Sequence, residues 1–121
     1  MTEKEEKIKM SLAAKLNKGS KFFYRMPEGS PYYKLEDLDP KQDYEVKGLW
    51  INEDGKFGPS ATLICDGFGV NLPRHLVQVC RDILSSEDLV EGINAGVLGF
   101  RIRKASNKAG QEFLSVEWVD L

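Results

Sequence analysis

Residues 42–52, QDYEVKGLWIN, read as a long strand with a fault in its middle. Val46 shares a parity with Tyr44, whereas Leu49 and Ile51 fall on the opposite one, so a strict period of two cannot bury all of these apolar side chains at once. Gly48 sits at the break. One extra residue bulged out there returns Leu49 and Ile51 to the face of Val46 and turns Lys47 and Trp50 to the other side. A first strand bent in this way can pair at both ends, as a small closed barrel requires.

Downstream, residues 60–66 (SATLICD) alternate as a second strand, Asp66 and Gly67 turn the chain, and residues 68–72 form a third strand with Phe68, Val70 and Leu72 on one face. Pro73 opens a helix, where its missing N–H costs nothing. Leu76, Val79, Cys80, Ile83 and Leu84 give that helix a buried stripe. Ser85 with Asp88 starts a further turn that carries Leu89, Val90 and Ile93 and ends at Gly96. Residues 97–104 (VLGFRIRK) form a fourth strand with Leu98, Phe100 and Ile102 inward and Arg101 and Arg103 outward. After a small basic loop, residues 111–119 (QEFLSVEWV) close the chain with Leu114, Val116 and Trp118 on one face and Phe113, Ser115 and Glu117 on the other.

Upstream, residues 2–18 read as a helix with Thr2 and Glu5 as a capping box, Ile8, Leu12 and Leu16 as a narrow apolar stripe, and Gly19 as the stop. Phe22, Phe23, Tyr24, Tyr32 and Tyr33 then flank a corner at Pro27, Gly29 and Pro31, which predicts two short extended pieces around a loop. Those rings either cap an open end of the core or, with Lys21 and Arg25, contact a ligand.

Strand, strand, strand, helix, strand, strand is the order of the five-stranded oligonucleotide/oligosaccharide-binding (OB) barrel, with its helix between strands three and four. The expectation is therefore a mainly β protein in which residues 1–40 form an N-terminal helix and aromatic extension packed on the barrel, and residues 41–121 form the OB-fold domain. A small sandwich or an α+β roll built from the same elements is the alternative.

Composition changes this picture little. With 121 residues, 41% hydrophobic and 30% charged, the chain suits one soluble domain. It has no membrane-length apolar run and begins with charged residues, so the expected location is the cytoplasm. Charge adds more. The net charge is -2, yet residues 1–25 carry seven Lys or Arg against three Glu, a balance of +4 that leaves -6 for the rest. A polyanion senses charge within a Debye length of about 8 Å, so local patches decide what binds and the total does not.

Catalytic chemistry finds little support. His75 is the sole imidazole, and Cys65 and Cys80 lie on predicted strand and helix core without metal-ligand spacing, so no enzyme activity, metal or cofactor is expected. Gly67–Phe68–Gly69 lacks the third glycine of a dinucleotide loop and reads as a hairpin. Binding chemistry is better represented. Single-stranded nucleic acid is held by rings that stack on bases and cations that follow the phosphates. In an OB barrel the strand crosses the second and third strands between the first-to-second and fourth-to-fifth loops. Those loops carry Lys56 with Phe57, and Lys104 with Lys108, while Lys47, Trp50, Arg101, Arg103 and Phe113 point outward nearby. Each has a plainer use: Trp50 can cover the barrel against the N-terminal segment, Phe57 can anchor its loop, and Arg101 and Arg103 can pair with Glu112 or Glu117. Trp118 reads as core.

The stretches GLWINEDGKFGPSA, VNLPRHL, INAGVLGFRI and FLSVEWVDL together resemble the small OB-fold single-stranded DNA-binding proteins encoded by phages of Gram-positive bacteria, such as lactococcal and streptococcal phages, over roughly residues 42–121. That resemblance implies non-sequence-specific binding of single-stranded DNA in phage replication or recombination, as a homo-oligomer such as a dimer, alongside other replication or recombination proteins and without metal or nucleotide cofactor. Bacterial relatives carry a long acidic tail that recruits partners, whereas this sequence ends at Asp120 and Leu121 directly after its last predicted strand. A protein-interaction module on the same barrel, such as a phage structural or host-modulating protein docking through residues 2–18, is the second function expected. RNA binding, which differs by contacts to the 2′-hydroxyl, is the third.

Overall fold

The computed structural model describes residues 21–121, so the helix expected at residues 2–18 lies outside the described residues. The described chain is mainly β, with seven strands in two sheets and two α-helices. Strands β1 (Tyr32–Lys34), β5 (Phe68–Asn71), β4 (Ser60–Cys65) and β3 (Gly48–Asn52) form one sheet in that order. The other runs β2 (Asp43–Glu45), β6 (Leu98–Ser106), β7 (Glu112–Asp120).

The fault expected in the long first strand is where the chain changes sheets. Val46 donates to Leu98 O beside β6, and Lys47 donates to Ile64 O on β4, so consecutive residues bond to opposite sheets. The parity shifts as the apolar pattern requires: Val46 and Leu49 are both buried, while Lys47 and Trp50 turn away from the core. Gly48 lets the Phe22 ring pack close, since a Cβ there would meet that ring at 3.3 Å, tighter than ordinary contact. The side chain of Asn94 holds Phe22 in place by accepting from Phe23 N and donating to Lys21 O, each at 3.0 Å.

A closed five-stranded barrel does not form. Closure would need the third strand to pair with the last, but the open edge of β5 is occupied by β1, which runs parallel to it with Tyr32 opposite Gly69. Gly69 N also donates to Pro31 O at 3.0 Å. The 3₁₀ turn Leu35–Asp37 then lies against β7, with Leu35 buried, so a short segment from before the first long strand separates the two sheets on that side. Residues 21–40 thus supply one strand where two extended pieces are expected, and that strand is integral to a sheet.

The helical part follows the sequence with shifted boundaries. Pro73 caps a 3₁₀ turn, Arg74–Leu76, before α1 (Val77–Leu84) begins. Helix α2 (Glu87–Asn94) is capped by Ser86 in place of Ser85, with Leu89 N donating to Ser86 Oγ at 3.3 Å and Glu87 and Asp88 favourably placed in its first turn. Val77, Cys80 and Ile83 turn α1 toward β3 and β4, and with Val46, Leu63, Val70 and Phe100 they make the core. Four rings join the sheets across it: Tyr33 to Phe68 at 5.6 Å, Phe68 to Tyr44 at 6.1 Å, and Tyr44 stacked on Phe100 at 5.6 Å.

Both cysteines are free and buried. Burial pushes the Cys65 thiol up to about 12, helped by the charge of Glu45, and the Cys80 thiol up to about 11. Since the thiolate is the reactive form, the native protein at pH 8 should leave Ellman's reagent unreacted and release two thiols only after unfolding in guanidinium. A fast-reacting native thiol would show that one of these residues is reachable.

Candidate nucleic-acid interface

Directly opposed residues of paired strands share a face, so the register of the four-stranded sheet fixes what its outer surface displays. One row reads Trp50, Thr62, Asn71, Lys34, and the row beside it reads Gly48, Ile64, Gly69, Tyr32. With strands about 4.8 Å apart, the first row spans about 14 Å from Trp50 to Lys34. Two large rings stand on this face, Trp50 in the first row at 54% exposure and Tyr32 in the second at 51%. Between them the floor is low: a Cβ on Gly69 would lie 2.6 Å from the Tyr32 ring and 3.5 Å from the Thr62 methyl, so the ring lies across the glycine. Thr62 Oγ1 donates to Asn71 Oδ1 at 2.9 Å, tying the middle of the row together.

Two consecutive residues tie the β3–β4 loop and strand β7 together at one end of this surface. Arg74 donates to the carbonyl oxygen of Phe57 in the β3–β4 loop. His75 Nε2 lies 3.0 Å from Ser115 Oγ, and its ring meets Phe113 edge-on at 5.1 Å, beside the β6–β7 hairpin. Phe57 is 80% exposed with Lys56 Nζ 5.7 Å from its ring centre, and Phe113 is 39% exposed. Local chemistry sets both loops. Gly55 lies so close to Gly58 O that a Cβ would approach it to 2.5 Å, and Asn107 Oδ1 accepts from Ala109 N and Gln111 N, each at 3.0 Å.

Along the edge of β3, which pairs with no further strand among the described residues, a groove of about 760 Å³ separates Trp50 from α1. Arg81 lies in it, 2.7 Å from Glu53, whose hydrogen bond raises the arginine's already high pKa.

The nine residues singled out from the sequence divide. Trp50 and Phe113 border the sheet surface, with Lys56 and Phe57 at its loop end. Arg103, Lys104 and Lys108 are exposed and have no acidic partner within 4.0 Å among the described residues. Lys47 and Arg101 are different. Lys47 Nζ sits 2.6 Å from Glu45, whose hydrogen bond raises the lysine pKa, and 5.4 Å from the Tyr24 ring centre. Arg101 takes Asp43 with two nitrogens, at 3.0 and 3.1 Å, and Glu117 lies 4.0 Å away. Both are neutralised locally on the side that carries β2, so these two cations are not gathered with the rings.

Four residues of this surface escape a reading of the sequence. Tyr32 and Lys34 are visible as an alternation around Tyr33, but nothing local says that they join β5. Asn71 looks like a strand end, and His75 like a helix cap, until Ser115 and Phe113 are placed beside it.

No family model, curated protein or solved structure matches this chain. Among the described residues there is no group of three or more His, Cys, Asp or Glu that could hold a metal, and no helix long and apolar enough to cross a membrane.

Proposed function

We propose that this chain is a non-catalytic single-stranded DNA-binding protein that lays the strand across the outer face of the four-stranded sheet, stacking bases on Trp50 and Tyr32 and passing between the Phe57 loop and Phe113 at the start of β7. The observation that carries this reading is the pair of half-exposed rings on one sheet face with Thr62, Ile64, Gly69 and Asn71 between them. Stacking tolerates any base, so recognition along the strip is non-sequence-specific. The fold is then an opened relative of the OB barrel, its chain order kept and β1 taking the edge that closure would use. Service in phage replication or recombination, as a homo-oligomer with other replication proteins in the host cytoplasm, is what the resemblance of the sequence adds.

Exposed rings from which the locally paired cations Lys47 and Arg101 stand apart also suit a protein partner, the second reading. A titration with an unstructured thymidine oligonucleotide at low and moderate salt separates the two. Quenching of tryptophan fluorescence that weakens with salt supports DNA; no quenching and no mobility shift even at low salt overturns it. The salt slope sorts the cations. Each phosphate contact on a single strand contributes about 0.7 to the slope of log affinity against log salt. Arg103→Ala, Lys104→Ala and Lys108→Ala should each flatten the slope by about that amount, whereas Lys47→Ala and Arg101→Ala should leave it unchanged.

A further inference from the structure

At the Lys34 end of the strip lies a pocket of about 380 Å³ whose lining includes Lys34, Asn71, His75 and Phe113. Its polar groups are held by neighbours behind them. The Asn71 amide oxygen already accepts from the buried Thr62 hydroxyl at 2.9 Å, which fixes the amide plane and leaves the two N–H donors of Nδ2 without a partner among the described residues. His75 is anchored through Nε2 to the buried Ser115 hydroxyl at 3.0 Å, and its ring, at 73° to Phe113, braces that phenyl ring. The Phe113 ring keeps 39% of its surface open. An aromatic ring beside an amide held in one orientation is the equipment for holding a single base out of the stack and sensing its edge.

We propose that this pocket receives one unstacked base of the bound strand and that Asn71 discriminates among bases at that one position. This rests on the reading above and goes beyond it, because stacking on Trp50 and Tyr32 accepts every base whereas a fixed donor does not. Lys34 sets an ammonium at the pocket for the phosphate of the same nucleotide, with Glu36 as the opposing charge beside it. Recognition is thus tolerant along the strip and selective at its end.

The test uses the full chain and thymidine oligonucleotides in which adenine, cytosine or guanine is substituted at one position at a time, with affinity read by anisotropy and Trp50 stacking by fluorescence. The parent should show a roughly 3- to 10-fold spread in affinity among bases at one position and little elsewhere, the size of one hydrogen bond gained or lost. Asn71→Ala should flatten that spread while quenching persists. Asn71→Asp, which can still accept from Thr62 but replaces the donors with an acceptor, should invert the order of preference. A flat profile in the parent with quenching intact overturns the subsite and leaves the DNA-binding reading standing, as does a spread that survives Asn71→Ala. Absence of quenching with every oligonucleotide overturns both.

Discussion

Trp50→Ala should weaken binding of an unstructured thymidine oligonucleotide by roughly 5- to 150-fold, because one stacked base contributes about 1 to 3 kcal/mol. It should also abolish most of the fluorescence quenching. Trp50 is 54% exposed and sits on the outer face of β3, so its removal opens no core cavity and folding stability should move by only about 0.5 kcal/mol. Trp118, partly buried against the core, stays as the reporter of an intact fold. Tyr32→Ala makes the companion variant. The two rings stand on strands separated by β4 and β5, far enough apart for their effects to add if each stacks on its own base. Quenching that survives in Trp50→Ala would move the interaction to Trp118 and away from this face.

How much of this was legible in the sequence depends on how local the cause is. The alternation along β4 and the fault beside Gly48 are properties of a few neighbouring side chains and appear where the pattern puts them. The stripe of α1 does so in part, with Cys80 and Ile83 buried as expected but Val77 buried in place of the partly buried Val79 and Leu84. Barrel closure is not local. It depends on which strand reaches the edge of β5, and the winner, Tyr32–Lys34, is a three-residue strand with every residue exposed, too short and too polar to announce itself. The same limit divides the candidate site. Alternation correctly turns Lys47 and Arg101 away from the core, but their acids come from Glu45, two residues back, in one case and from another strand, Asp43 on β2, in the other. An outward cation is therefore only half of a phosphate contact; the other half is the absence of a carboxylate, which Arg103, Lys104 and Lys108 meet and the other two do not. Tyr32 fails in the opposite sense. Its ring is plain in the sequence, but the flat glycine beneath it lies far along the chain.

The largest stability loss is expected at Phe100→Ala, about 3 to 5 kcal/mol, the range for truncating a fully buried phenylalanine. Phe100 has no exposed surface, and its loss leaves a cavity where the two sheets meet. The position is costlier than a ring at the margin because Tyr44, stacked on Phe100 at 5.6 Å, is held there at both ends: its ring edge reaches Phe68 on the other sheet and its hydroxyl accepts from Asp39 N at 2.9 Å. Tyr44 cannot follow the cavity inward without giving up one of these, so the site collapses poorly. A protein of this size is commonly stable by only about 5 to 15 kcal/mol, so this one change removes a large share of the total. Tyr44→Phe separates the two contributions, since it keeps the ring contacts and removes only the bond to Asp39, and should cost about 0.5 to 1.5 kcal/mol. Urea melts followed by circular dichroism measure both; a loss under about 1 kcal/mol for Phe100→Ala would show that the sheets do not depend on this ring for their junction.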